Sequence, residues 1–211
     1  MAIINQLNLE NLLQIDVTAE PDSTVTSYLV AAQAAAEAYC QRHFDYATAN
    51  VETFDGDGRE AIIQVDRWPI DTVTTVVESG VTLTVDQDYI LYTDRGWVMR
   101  TAGGARQSKG WRDHRRGIVI TYDGGYEAPT PAGGAVVPDD LTLAVTRIAG
   151  RLFKSGSGPI AGGPVSSTTL DGIGSVGYAS SRGSAPVAVT DLVLLDEEMA
   201  ALDPYSNPGL A

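Results

Sequence analysis

The sequence predicts an α+β protein, a small helical bundle with an antiparallel β insertion and an extended C-terminal arm. Apolar residues recur at helical spacing near the N-terminus and again after Pro138. Between about 50 and 125 the pattern changes to alternation, and β-branched and aromatic residues become frequent. From Lys154 to Pro186 glycine and serine dominate without a sustained period, which is typical of an extended arm.

These changes of composition also predict how the chain is divided. A helical domain covers 1–153 and contains the β insertion, a Gly/Ser-rich arm covers 154–190, and a C-terminal segment covers 191–211. With 211 residues, the chain is long enough for one domain with a substantial apolar core.

Two helices are predicted before the β insertion. Asn8 is placed to cap a short helix that runs to Gln14. Pro21 and Asp22 open a longer helix, whose alanine-rich part covers 25–44. Small side chains let another helix approach closely, either within one domain or between neighbouring subunits.

A third helix is predicted from Asp139 to Phe153, directly after Pro138. Its acids lie in the first turn and its basic residues gather towards its end, so both groups oppose the helix dipole. One apolar stripe runs along it, formed by Leu141, Ala144, Val145, Ile148, Ala149, Leu152 and Phe153. Such a stripe indicates packing against a core.

Seven strands are predicted in the insertion, separated by turns at Gly56, Gly58, Pro69 and Gly80. They cover 51–54, 61–65, 72–77, 81–85, 89–92, 97–100 and 118–122. We predict that they form an antiparallel module between the helices.

A last short helix is predicted near the C-terminus. Asp196 is placed to cap it, and it runs to Leu202 before Pro204 stops it. The stretch from Asp191 to the end carries five acids and no basic residue.

Cysteine usage and hydropathy narrow the class of protein. The one cysteine, Cys40, cannot pair within the chain, and its place among alanines predicts a buried, unreactive thiol. No apolar run approaches the roughly 18 residues of a membrane span, and the N-terminus has neither a basic start nor an apolar signal core. We expect synthesis in a reducing compartment without export through a signal peptide.

Charge is sorted along the chain. The net charge is −13, yet seven of the 14 basic residues and only one acid lie between Arg95 and Arg116, the basic segment. With its tryptophan, this segment could contact DNA phosphates or an acidic neighbouring protein, or it could be a solvated hairpin tip. Its candidate contact residues are Arg95, Arg100, Arg106, Lys109, Trp111, Arg112, Arg115 and Arg116.

Catalytic patterns are weak. A G-x-G-x-x-G match at Gly172, Gly174 and Gly177 follows no apolar strand and precedes no helix, so it does not predict a phosphate loop. The run DGDG at 55–58 starts like a calcium loop, but the residues after it do not fit one, which predicts a hairpin turn. Two histidines without Cys/His spacing indicate neither a zinc site nor a nucleophilic triad, whereas a pair of acids of the glycosidase type stays open. We predict no catalytic residue, no metal and no cofactor.

Several segments together resemble one protein family. They are a helix that ends in AEAYCQRHF, the turn WPI at 68–70, the strand ITYDGGY, the run VPDDLTLAVTRIAGRLF and the final LLDEEMAALDPY. On these segments the chain resembles the head-to-tail connector (adaptor) proteins of tailed bacteriophages, the gp6-like family. The resemblance spans 9–205 as a pattern of short motifs without a catalytic signature.

The resemblance implies a structural protein of the virion neck, made in the host cytoplasm. It implies a homo-oligomer, a dodecameric ring below the portal protein, with the next neck or tail-completion protein beneath it. Packaged double-stranded DNA would occupy the lumen, and no membrane is involved.

The resemblance also implies roles for particular residues. Candidates for docking on the portal or on a neighbouring copy are Leu192, Leu194, Leu195, Met199, Leu202 and Tyr205. The long helices would form the ring wall through Tyr28, Leu29, Ala32, Ala36, Leu141, Val145, Ile148 and Leu152.

In a ring, the uneven distribution of charge along the chain would have a function. An acidic wall repels DNA phosphates and lets the duplex slide, while the basic segment could bind an acidic face of the next protein ring. The alternative is a nucleic-acid- or carbohydrate-binding β module without catalytic activity, whose helices only support it.

Overall fold

A computed structural model describes residues 3–14, 22–103, 107–127, 135–156, 168–170, 174–176 and 194–207. It combines helices with antiparallel sheets, so the predicted α+β class is confirmed. The segments 157–167 and 177–193, which make up most of the predicted arm, lie outside the described residues.

Four α-helices lie in the described chain: α1 Gln6–Leu13, α2 Asp22–Cys40, α3 Asp139–Gly156 and α4 Asp196–Leu202. Helix α3 is central, because it contacts each of the other three. A 3₁₀ turn, Asp203–Tyr205, continues α4.

Three predicted helix ends are wrong. The cap of α1 is Asn5, and Asn8 instead occupies the third position of a reciprocal capping box with it. Helix α2 ends at Cys40, because Gln41 adopts a positive φ of 53°. Asp196 is the first residue of α4, which has no capping side chain at Leu195.

All seven predicted strands are present, and four short ones lie outside the prediction. The strands are β1 Ala47–Gly56, β2 Ile62–Gln64, β3 Ile70–Glu78, β4 Val81–Thr82, β5 Tyr89–Tyr92, β6 Trp97–Arg100, β7 His114–Gly124, β8 Tyr126–Glu127, β9 Ala135–Val136, β10 Thr168–Leu170 and β11 Gly174–Val176. β4 is shorter than predicted, whereas β1 and β7 are longer because they pair with each other over most of their length.

The insertion forms two antiparallel sheets. The first has the order β1-β7-β3-β4 and the second the order β2-β6-β5. β8 pairs with β9 in parallel, and β10 pairs with β11 as a separate two-stranded ribbon.

Two apolar cores follow from this arrangement. The helical core is built from α1, α2, α3 and α4 and reaches Tyr126. The β core lies between the two sheets and contains Trp111, Tyr122, Ile118 and Ile120, all almost fully buried. The predicted hairpin turn at 55–58 is wrong, because Asp55 and Gly56 belong to β1 and β1 pairs with β7 rather than with β2. The chain bends just after β1, where Asp57 accepts hydrogen bonds from the amides of Arg59 and Glu60. The same two bonds lower the pKa of Asp57.

Candidate assembly interface

The segments that carry the family resemblance meet at the junction between the helices and the sheets. Arg42, just beyond α2, stacks on Trp68 of the WPI turn with its guanidinium carbon 3.4 Å from the ring centroid. It also donates a hydrogen bond to the Trp68 carbonyl. The rings of Phe44 and Tyr126 lie 5.1 and 5.4 Å from the same carbon. The resemblance therefore rests on residues that join two structural layers.

Arg42 is a buried cation in an aromatic cage. Its residue is only 2% exposed, and burial lowers its pKa to about 10, so it remains charged near neutral pH. Among the described residues, no carboxylate lies within ion-pair distance of it. Cation–π contacts and one carbonyl therefore stabilise the charge.

An acidic cluster lies beside this cage. Glu37, His43 and Asp45 bring potential ligand atoms within 4.8 Å of one another, close enough to hold a metal ion. However, the Glu37 carboxylate already accepts hydrogen bonds from the side chain of Gln33 and the amide of Phe44 and contacts His43. Asp45 pairs with Arg67. The cluster is thus explained by its own contacts, which fix the chain between α2 and β1.

The C-terminal segment packs on the helices of its own chain. Glu198, which is almost fully buried, pairs with Arg151 of α3 at 2.7 Å. The Tyr205 hydroxyl donates to Asp140 at 2.5 Å, and the Asn207 amide donates to the Cys40 carbonyl at 2.8 Å. These contacts hold the C-terminal segment against α2 and α3.

The predicted docking residues occupy different environments in this segment. Leu202 is fully buried in the helical core, and Leu194 and Tyr205 pack against that core while partly buried. Met199 is half-buried, whereas Leu195 is 45% exposed. Leu192 lies outside the described residues. Of the described residues in the set, Leu195 is the one with an exposed side chain.

The predicted ring-wall residues face the interior of the chain. Six are buried in the helical core: Leu29, Ala32, Ala36, Leu141, Val145 and Ile148. Tyr28 and Leu152 are partly buried against it. The close helix contact that the alanines allow is therefore between α2 and α3 of one chain, which is the first of the two alternatives open from the sequence.

The basic segment is divided between the core and the surface. Trp111 is buried in the β core and donates its indole N–H to the Ala61 carbonyl at 2.9 Å. Arg100 is buried as well, and pairs with Glu78 at 3.1 Å. Arg95 stacks on Trp97 at 4.9 Å. These residues stabilise the β insertion rather than form a continuous contact surface.

Arg95 is exposed even though it stacks on Trp97. The other exposed basic residues in the described part of the segment are Lys109, Arg112, Arg115 and Arg116, the exposed cations. Arg106 lies outside the described residues. The exposed cations lie next to acids that belong to a distant part of the sequence. The Arg116 amide donates to Asp55 at 2.6 Å, and the Gly58 amide donates to the Trp111 carbonyl at 2.9 Å, which brings the acidic β1–β2 turn alongside. The positive excess counted along the sequence is therefore reduced in space.

Two carboxylates of the β insertion escaped the sequence interpretation, the buried Glu78 and the partly buried Glu52. Glu78 accepts from the Arg100 guanidinium and, at 2.9 Å, from the Arg112 amide, so it holds two parts of the basic segment together. Glu52 accepts from the Tyr122 hydroxyl and the Asp66 amide, and burial raises its pKa. The alternation of strand residues could have predicted that Glu78 is buried, because Glu78 lies two residues after Val76 on the inward face of β3.

No protein-family model matches this chain, and no curated protein matches it. Solved structures that resemble it come from gene transfer agent (GTA) particles. A chain in the neck of an empty GTA particle, computed with C6 symmetry, and a chain in the virion of the native particle each show 16% identity and a TM-score of 0.49. In both, the likeness covers 95% of this chain and 87% of the other.

A third similar chain, in the neck of the native GTA particle computed with C12 symmetry, shows 16% identity and a TM-score of 0.46. The likeness covers 88% of this chain and 82% of that one. Identities and TM-scores this low do not establish the function of this chain. Among the described helices, none is long and apolar enough to cross a membrane.

Proposed function

We propose that this chain is a non-catalytic structural subunit of a tailed-phage-like neck. Identical copies form a ring below the portal, joining the capsid vertex to the next neck or tail-completion protein. Double-stranded DNA passes through the lumen of this ring.

The observation that carries the proposal is the junction at Arg42. Motifs that are far apart in the sequence supply its parts: AEAYCQRHF supplies Arg42, WPI supplies Trp68 and ITYDGGY supplies Tyr126. VPDDLTLAVTRIAGRLF and LLDEEMAALDPY meet next to it through Asp140 and Tyr205. These residues set how the helices sit on the sheets, and a ring subunit needs that angle to be the same in every copy.

Electrostatics support the role of a channel subunit. A net charge of −13 makes the subunit repel DNA phosphates, so a duplex inside the ring would slide rather than bind. The exposed group Lys109, Arg112, Arg115 and Arg116 offers a local site for an acidic partner protein.

The C-terminal segment supplies an apolar contact for the portal or for a neighbouring copy. Because Leu202 is part of the core, removal of the whole segment would unfold the chain and would not test docking. Leu195→Asp changes an exposed side chain instead, and should weaken attachment while the fold is kept. Leu143→Asp, at a side chain of similar exposure on α3, is the matched control.

The proposal is tested in particles assembled without this chain. We expect capsids that lack tails and lose packaged DNA, with both defects corrected by the parental chain but not by Leu195→Asp. Electron microscopy of negatively stained particles measures the tailed fraction. Normally tailed, DNA-filled particles in the absence of the chain would refute the proposal. Tight binding of duplex DNA or an oligosaccharide by the purified monomer would instead support the β-module alternative.

A further inference from the structure

Strand β1 pairs on its outer side with no strand of the described residues. It is the outer strand of the sheet β1-β7-β3-β4 and the longest edge strand described, with ten residues. Its register with β7 is uninterrupted from Asn50 to Phe54, between irregularities at both ends. Val51 is 61% exposed, and Thr53 is exposed too. The strand contains no proline and no lysine, which commonly protect such edges, so its outer backbone groups can pair with another strand.

The β10–β11 ribbon pairs with no third strand among the described residues. Its strands have three residues each and share a sheet with no other strand in the part of the chain that the structure describes. An isolated two-stranded hairpin is at best marginally stable in water, and three strands are needed for lasting stability. The ribbon is therefore expected to gain stability by adding to an existing sheet.

We propose that the β10–β11 ribbon of one copy adds to the β1 edge of a second copy of this chain. Backbone hydrogen bonds supply the affinity, as in other cases of strand addition. The ribbon sequence from 168 to 176 contains a single charged residue, Asp171, and the exposed side chains of β1 between 50 and 54 are Val51 and Thr53. Like-charge repulsion between two acidic copies is therefore small at this contact.

Chain length permits the exchange. About a dozen residues separate the end of α3 at Gly156 from Thr168, and they can span about 40 Å when extended. Each copy then donates one ribbon and receives one, which makes the contact heterologous and able to propagate around a closed ring. The inference adds a specific contact between copies to the proposed function. It rests on the proposed function only for the statement that copies of the chain are neighbours.

Disulfide trapping tests the contact. The full chain carrying Val51→Cys and Ser175→Cys should give a ladder of covalent multimers under oxidising conditions, removed by reductant. The parental chain, whose single Cys40 is buried, should give none. Val81→Cys with Ser175→Cys is the matched control, since Val81 is 56% exposed on β4 at the opposite edge of the same sheet. A monomer with an internal disulfide, or no disulfide at all, would overturn the inference.

A second pair of variants needs no cross-link. Lysine on an edge strand opposes strand addition, so Val51→Lys should weaken self-association by about tenfold, the change that 1.4 kcal/mol produces. Val81→Lys should leave it unchanged. Sedimentation of the full chain over a concentration series measures both, and equal effects of the two lysines would contradict the inference.

The outcome also separates the inference from the proposed function. Rings that form on particles without the Val51–Ser175 cross-link would refute the ribbon contact and leave the neck role intact. If copies cross-link but particles form tails without this chain, the ribbon contact would be supported and the neck role refuted.

Discussion

The junction and the far end of the β insertion each bury an arginine, but they stabilise its charge differently. Arg100 has the carboxylate of Glu78 at 3.1 Å and that of Asp88 at 3.6 Å, and its Nη1 donates to the Thr101 carbonyl at 2.9 Å. Arg42 has three aromatic rings and one carbonyl. Its Nε and Nη1 have no hydrogen-bond partner among the described residues. The β insertion thus uses an ion pair where the junction uses stacking.

This difference determines what each region loses when it is changed. A buried ion pair is costly to break, because the remaining partner keeps its charge without compensation. An arginine held by stacking leaves no charge behind when it is replaced by an apolar side chain. The β insertion should therefore be the more sensitive of the two regions to single substitutions.

The largest effect is expected for Glu78→Ala. It leaves Arg100 buried without its main carboxylate and frees the Arg112 amide, so the free energy of unfolding should fall by about 3–5 kcal/mol. Urea denaturation followed by circular dichroism measures it. Exposed Glu60→Ala is the control and should change little. The double variant Glu78→Leu with Arg100→Met should recover most of the loss, and its failure to do so would contradict the ion-pair explanation.

A smaller effect is expected for Arg42→Met. The loss should be at most about 2 kcal/mol, the value of a desolvated cation–π contact, because removing the buried charge also removes its desolvation cost. The same urea titration compares it with Glu78→Ala. If Arg42→Met proved as damaging as Glu78→Ala, stacking and ion pairing would not differ in the way proposed.

The sequence predicted local structure better than these tertiary contacts. The bounds of β5 and β6 and the start of α3 match, since alternation and the Pro138 start signal are local features. The cap of α1 was misplaced because Asn5 and Asn8 have equivalent side chains and bond to each other's backbone.

The candidate site was less predictable, because its chemistry depends on distant partners. The sequence pattern predicted Arg100 and Trp111 to be exposed members of a basic segment. In the structure they are buried, and they donate hydrogen bonds to Glu78 and Ala61. A count of charges along the chain contains no information about Asp55, which lies beside Arg116 only through the pairing of β1 with β7. The prediction that Cys40 is buried is confirmed, since it depended only on its position in a helix of alanines.

The third effect is a pH-dependent loss of stability that depends on Cys40, which lies near the junction. Burial raises the pKa of its thiol to about 12, above the value near 9 expected when unfolded. The thiol thus stabilises the fold below pH 9, and this contribution is lost as the pH rises towards 12 because only the unfolded state ionises. At pH 10 the loss should be about 1.4 kcal/mol.

Urea titrations at pH 8 and pH 10 measure this loss for the parental chain and for Cys40→Ala. The alanine variant keeps the buried tyrosines, whose ionisation also lowers stability at high pH, so the difference between the two chains isolates the thiol. An identical pH dependence in both chains would show that Cys40 ionises as freely in the fold as outside it.

The smallest effect on stability, and the largest on assembly, is expected for Arg112→Gln, Arg115→Gln and Arg116→Gln combined. These side chains are exposed, and the Arg112 guanidinium lies no nearer than 3.9 Å to the Glu78 carboxylate that Arg100 pairs with, so the free energy of unfolding should change by less than about 0.5 kcal/mol, unlike that of Glu78→Ala in the same insertion. Attachment to the portal or to the next neck protein should weaken, and added salt should reduce the difference from the parental chain.

Arg147→Gln with Lys154→Gln removes two exposed positive charges from α3 instead, and its comparison with Arg115→Gln plus Arg116→Gln controls for net charge. Particle assembly that the triple replacement leaves unchanged would remove the contact role of the exposed cations. Normal assembly with altered DNA retention would assign them to the lumen. In either case the β insertion would keep the ion pair of Arg100 with Glu78 at 3.1 Å, because Arg100 is not replaced. The longer contact of the Arg112 guanidinium with Glu78, at 3.9 Å, would be lost.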